Sequence, residues 1–148
     1  TSKEYYTRGS TALLDAMGGA IHHIRNVHKY ARPEDRPART MFIITTDGME
    51  NASTRYTADQ VRAMVKRQEA EGWEFIFLGA NIDAVQVAGG LGIRADNAVE
   101  FACDEAGIRE NFSTLAHLTS TFVGTGMILP GWQAKISKHL AKKRSGRS

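Results

Sequence analysis

The segment Met41-Phe42-Ile43-Ile44-Thr45-Thr46-Asp47-Gly48 decides how this chain folds. It opens with four apolar residues in a row, which predicts a strand buried on both faces, as in a parallel sheet. The strand runs into Asp47-Gly48, a pair that favours a turn, so a loop is expected to begin there. A strand buried in this way needs helices on both sides of its sheet, and the segment therefore predicts an α/β protein.

Helices and further strands alternate on either side of this segment. A first helix is predicted after Gly9-Ser10 and ends near Tyr30-Ala31, and a second begins at the capping box Thr57-Ala58-Asp59-Gln60. Residues 73–78 predict a second strand, residues 84–88 a short helix, residues 98–102 a weaker strand and residues 108–122 a last helix. This order predicts a three-layer Rossmann-like sandwich, with a parallel sheet of about three strands and helices on both faces.

Charge divides the chain into two parts. Six of its 19 Lys and Arg residues lie after residue 134, where there is no acidic residue, so the remainder carries 13 basic against 16 acidic residues. We interpret residues 1–131 as one domain and residues 132–148 as a basic, flexible tail. A mildly acidic body does not favour nucleic-acid binding, which would place basic residues on a folded face, although the tail could touch phosphates non-specifically.

Composition also limits where the chain can reside. No apolar run approaches the ~18 residues that a membrane-spanning helix needs, so no membrane partner is expected. Cys103 is the single cysteine, which excludes an internal disulfide and suits a reducing compartment. We therefore expect a cytoplasmic protein.

Asp47 and Thr11 are the candidate metal ligands. Asp47 should lie where a buried strand opens into a loop, and a carboxylate in that position can hold a hard cation directly or through water. The alternative for Asp47 is ordinary turn chemistry ahead of Gly48. The Thr11 hydroxyl is a neutral oxygen ligand at the start of the first helix, and its alternative is to cap that helix, as Ser10 could. Local sequence leaves both alternatives open.

Further polar residues are expected near this pair because ligands of parallel sheets bind outside the carboxyl ends of the strands. Glu50 and Asn51 follow Asp47 and could orient its waters, although an exposed loop is the simpler interpretation. Asn81 and Asp83 follow the second strand and could line the ligand crevice, and Asp83 could equally cap the next helix.

Two of these segments together resemble a known family. Arg8-Gly9-Ser10-Thr11, continuing into the first helix, is similar to the threonine segment of von Willebrand factor type A (vWA) domains. Thr45-Thr46-Asp47-Gly48 resembles their apolar strand that ends in Thr-Asp-Gly, and residues 73–84 look like a variant of bacterial and phage-encoded vWA proteins. The resemblance runs from about Tyr5 to Phe122.

The resemblance implies a metal-ion-dependent adhesion site (MIDAS) built by three loops. Thr11 matches the second loop and Asp47 the third, whereas the first, an Asp-x-Ser-x-Ser motif, does not occur in the chain. We therefore expect the C-terminal portion of a vWA domain with an incomplete site. Thr11 and Asp47 supply two oxygens to an ion that takes about six ligands. We therefore expect a divalent cation (Mg²⁺, Mn²⁺ or Ca²⁺) to bind weakly or not at all.

The function implied by the resemblance is non-enzymatic binding of a protein partner, whose acidic side chain completes the coordination of Mg²⁺. Two alternatives stay open: a Mg²⁺-dependent hydrolase or nucleotide-processing enzyme on a Rossmann-like half-domain, and a nucleic-acid-associated protein acting through the basic tail. Against an enzyme, the sequence contains no dinucleotide-binding glycine motif, no phosphate-binding P-loop and no nucleophile elbow.

The strand at residues 41–46 is central in a complete vWA domain and would become an edge in this chain. An exposed apolar edge is a template for strand pairing. We therefore expect self-association, or pairing with a missing N-terminal half, through this strand.

Overall fold

Four parallel strands lie side by side in the order β1-β2-β3-β4 in this computed structural model. The structure describes residues 2–9, 13–35, 39–47, 55–102, 104–128 and 130–145, with the backbone alone at residues 2–9 and 35. The strands are β1 (Ser2–Gly9), β2 (Arg39–Asp47), β3 (Trp73–Ala80) and β4 (Ala98–Glu100). The helices are α1 (Leu13–Tyr30), α2 (Ala58–Ala70), α3 (Ala84–Gly90), α4 (Glu105–Thr125) and α5 (Ala134–Ser145).

Helices cover both faces of this sheet, which confirms the predicted α/β architecture. The connections through α1, α2 and α3 each advance one strand in the same direction, so right-handed crossovers place these three helices on one face. Their apolar residues pack there against alternate strand residues, such as Phe42 and Phe75. The intervening residues, such as Ile43 and Ile76, pack on the other face against Phe122 of α4 and Ile136 of α5. Burial on both faces explains why β2 and β3 are continuously apolar.

Local sequence signals set the ends of several helices. Thr57 caps α2: its side chain accepts from the Gln60 backbone N–H, and the Gln60 side chain accepts from the Thr57 N–H, which confirms the predicted capping box. Asp104 caps α4 in a similar way, so this helix begins three residues earlier than expected. Gly126 ends α4 with a left-handed φ of 73°. No helix among the described residues is both long and apolar enough to cross a membrane.

The prediction that residues 41–46 form an exposed edge is wrong. Residues 2–9, to which no strand was assigned, form β1 and pair with β2 in parallel register from Ser2↔Arg39 to Gly9↔Thr46. Because β3 pairs with the other side of β2, the apolar strand lies inside the sheet. The described strands at the edges are β1 and β4.

The prediction of a flexible basic tail is wrong for residues 134–145. These residues form α5, which packs against α4 and β4 and buries Ile136. Removing this side chain from water stabilises the docked helix by about 1.5–3 kcal/mol. Two acidic residues of the body, Asp104 and Glu100, also bind its basic side chains Lys143 and Arg144.

Candidate functional site

The candidate site lies at the carboxyl ends of β2 and β3. Asp47, the last residue of β2, is exposed and lies opposite Ala80, the last residue of β3. The next residue, Asn81, donates a hydrogen bond from its side-chain amide to Asp47 Oδ1 at 2.6 Å. The structure thus brings together two residues that the sequence analysis proposed separately.

Asn81 has an unusual backbone conformation at this point. It is the one non-glycine residue with a positive φ, 61°, among the described residues. Asparagine tolerates this left-handed region better than most residues, but the conformation still has an energetic cost. The turn directs the Asn81 amide to the Asp47 carboxylate, so that one carboxylate oxygen is held in place and the carboxylate stays exposed.

The remaining proposed ligands lie outside the described residues. They are Thr11, Ser10, Glu50 and Asn51. The structure describes the chain up to Gly9 and again from Leu13, on either side of Thr11. Gly9 lies opposite Thr46, next to Asp47 in sequence, and Leu13 is buried at the start of α1.

The residues just ahead of α2 are anchored to the first turn of α1. Asp15 Oδ1 accepts hydrogen bonds from the backbone N–H groups of Arg55 at 2.8 Å and Tyr56 at 2.9 Å. The Tyr56 ring packs on Gly18 so closely that a Cβ atom on this glycine would lie 2.5 Å from ring carbons. The residues just before α2 are therefore fixed beside the helix that follows Thr11.

Asp83 serves as a helix cap in this structure. Its side chain accepts from the Gln86 backbone N–H at 3.2 Å and begins α3, which is one of the two roles considered for it. This hydrogen bond uses one carboxylate oxygen of Asp83 for the helix rather than for the crevice.

A second polar cluster, which the sequence analysis missed, joins α5 to the start of α4. Asp104 Oδ2 lies 2.9 Å from Lys143 Nζ, and Asp104 Oδ1 lies 3.3 Å from His139 Nε2 and accepts from the Gly107 backbone N–H at 2.6 Å. The hydrogen bond from Lys143 holds the pKa of Asp104 well below its usual range, and the Gly107 N–H and His139 add to this shift.

Glu100, at the carboxyl end of β4, forms a salt bridge with Arg144. Two of the cations of α5 are therefore neutralised by the body of the protein, which reduces the charge that the segment could offer to a nucleic acid. A sequence signal existed for Asp104: aspartate is a favoured N-cap residue, and Asp104 lies shortly before the helical pattern of residues 108–122.

The described residues supply few metal ligands. No group of three or more His, Cys, Asp or Glu side chains suited to a metal ion occurs within the described ranges. At the candidate site they contribute one exposed carboxylate, that of Asp47, and one amide, that of Asn81. Mg²⁺ is often held by one or two carboxylates with several waters retained, so this set fits part of a magnesium site.

Comparison of the chain with protein-family models, with curated proteins and with solved structures finds no match in any of the three.

Proposed function

We propose that this chain is a metal-ion-dependent protein-binding module of the vWA type, in which Asp47 is a metal ligand. The observation that carries the proposal is the hydrogen bond of 2.6 Å from the Asn81 amide to the Asp47 carboxylate at the carboxyl end of the sheet. It holds one oxygen of an otherwise exposed carboxylate, in the region where parallel sheets bind their ligands.

The positions of the neighbouring segments support this proposal. Gly9 ends β1 beside Thr46, so the described backbone that leads to Thr11 reaches the same end of the sheet as Asp47. Asp15 of α1 binds the backbone of Arg55 and Tyr56, which ties the residues just ahead of α2 to α1. The segment that ends at Gly9 is therefore paired with the strand that ends at Asp47, which supports a site shared by Thr11 and Asp47.

The chemistry follows from the character of the ligands. One carboxylate and one neutral hydroxyl leave half of the formal charge of a divalent cation uncompensated, so the cation stays electrophilic and can accept an oxygen from outside. An acidic side chain of a partner protein supplies such an oxygen. The Asn81 amide donates to Asp47 and so limits the orientations of its carboxylate, which lowers the ordering cost of metal binding.

The test is Mn²⁺ binding to the full chain, followed by the paramagnetic resonance signal of the free ion. We expect weak binding, with a dissociation constant of about 1 mM, because few protein oxygens are available. Asp47→Asn removes the charge at constant shape and should weaken binding by at least about tenfold. Asn81→Gly keeps a residue that accepts the positive φ, removes the amide and should weaken binding by a smaller factor.

The matched control is Asp59→Asn. Asp59 is exposed, lies on α2 and is bound by Arg62, so it offers a carboxylate away from the site. Mn²⁺ binding that Asp47→Asn and Asp59→Asn reduce equally would show surface attraction instead of a site at Asp47. The absence of any binding at about 10 mM Mn²⁺ would also contradict the proposal.

A further inference from the structure

Seven large hydrophobic side chains are exposed among the described residues, and four of them lie on one flank of the molecule. These four are Val27 on α1 together with Ile108, Phe112 and Val123 on α4, with exposed fractions between 39% and 57%. We call the surface that they form with the outer edge of β1 the β1 flank. Clustering of exposed apolar side chains usually marks an interaction surface.

The three residues of α4 form one stripe that points away from α5. At 100° per residue, Ile108, Phe112 and Val123 fall within about 60° of arc on the helix. Thr121, which lines a cavity together with Ala134 and Lys135 of α5, is about 180° from Phe112. Because α5 packs on β4 and α4 packs on β1, the stripe faces outward beyond β1.

Val27 points to the same flank from the opposite face of the sheet. Gly18 of α1 contacts the Tyr56 ring ahead of α2, and Val27 is about 180° around the helix from Gly18. Because α1 packs on β1 and α2 packs on β3, the side of α1 turned away from α2 faces beyond β1.

The outer edge of β1 runs between the α4 stripe on one face of the sheet and Val27 of α1 on the other. Among the described strands β1 pairs with β2 alone, so its other side presents backbone N–H and C=O groups to a further strand. An unpaired strand edge with exposed apolar side chains on both faces of its sheet is suited to a sheet that continues into another copy or another chain.

We propose that the β1 flank is the interface of a homodimer, in which β1 pairs with β1 of a second copy in antiparallel orientation. A two-fold axis perpendicular to the sheet then places α1 beside α1 and α4 beside α4 of the partner, so that the apolar stripe of α4 meets the same stripe of the partner. Charge permits this arrangement. The charged residues at the start of the α4 stripe, Glu105 and Arg109, form a salt bridge with one another and leave no net charge to repel an identical surface.

The size of the flank fits a stable dimer. The eight residues of β1 are about 26 Å long, and the sheet with a helix layer on each face is about 30 Å deep. The resulting face of about 780 Å² is close to the ~800 Å² that each partner buries in a standard interface. Pairing through this flank replaces the association through β2 that the sequence suggested, because β2 is covered on both sides.

The experiment is sedimentation velocity on the full chain between about 10 µM and 1 mM, the range in which mass action populates a dimer of moderate affinity. The wild type should shift from monomer to dimer as the concentration rises. Phe112→Asp places a charge in the apolar stripe of α4 and should raise the dimer dissociation constant at least about thirtyfold. Val123→Asp, at the other end of the stripe, should act in the same direction.

Val85→Asp is the matched control, because Val85 is 47% exposed but lies on α3 outside the flank. This variant should dimerise like the wild type, and circular dichroism should show that all variants are folded. A wild type that stays monomeric at about 1 mM would overturn the proposal and assign the flank to a different partner. A species larger than a dimer, or a dimer that Phe112→Asp and Val123→Asp leave intact, would also overturn it.

Discussion

Replacing Gly107 by alanine should destabilise the protein, although the same change inside most helices is stabilising. Alanine is favoured over glycine in a helix by about 0.5–1 kcal/mol, because it loses less backbone freedom on folding. Gly107 lies in the first turn of α4 and is buried, so space decides the outcome here.

The geometry around Gly107 leaves no room for a methyl group. A Cβ atom would lie 2.1 Å from the backbone oxygen of Ala102 and 2.8 Å from Asp104 Oδ1. Asp104 is held in place, because it caps the helix through the Gly107 N–H and is bound by Lys143, and Ala102 is buried. Since the backbone must move to relieve the contact, we expect a loss of about 1–3 kcal/mol, as for other overpacked sites.

The assay is urea unfolding followed by circular dichroism, with Gly124→Ala as the control on the same helix. Nothing lies within 4 Å of a Cβ atom built at Gly124, so this variant should gain the ordinary ~0.5–1 kcal/mol. The two midpoints should move in opposite directions at an unchanged m value. If Gly107→Ala were as stabilising as Gly124→Ala, the close packing between the end of β4 and the start of α4 would be refuted.

Three further outcomes test the packing around the two polar clusters. The pKa of Asp104 is lowered in the folded protein, so the contribution of this carboxylate to the free energy of unfolding is complete above the ordinary aspartate pKa of about 4 and is lost as the pH falls below that value. The difference in stability between the wild type and Asp104→Asn, measured by urea unfolding, should therefore begin to shrink between about pH 5 and pH 3. Gly18→Ala would push a Cβ into the Tyr56 ring and should lower stability by about 1–3 kcal/mol in thermal unfolding. Ile136→Ala empties a fully buried position, and hydrogen exchange should show α5 opening more easily, with a loss of about 2–5 kcal/mol overall.

Part of the candidate site was visible in the sequence. Asp47 after a continuous apolar run and Asn81 after the next one could both be assigned to strand ends, because parallel strands finish at the same edge of a sheet. Their hydrogen bond could not be predicted, since it depends on the pairing of β2 with β3 and on the left-handed turn at Asn81.

Local patterns of the sequence by themselves determined the α/β class and most of the regular elements. Buried strands β2 and β3, the capping box at Thr57 and the helical spacing of α1 are signals that involve residues close in sequence, and each appears in the structure. Such elements are stabilised by burial of their own apolar residues and by caps within one turn, so a short window contains the necessary information.

The tertiary structure alone decided the places of β1 and α5. Residues 2–9 include three charged residues and lack an apolar run, and they become a strand by pairing with β2 some 37 residues further along the chain. Residues 134–145 are rich in lysine and become a helix on the body, where Ile136 is buried and Asp104 and Glu100 bind its cations. The physical reason is the same for both: the stabilising partners are distant in sequence, so the free energy that fixes these segments exists only once the rest of the fold has brought those partners together.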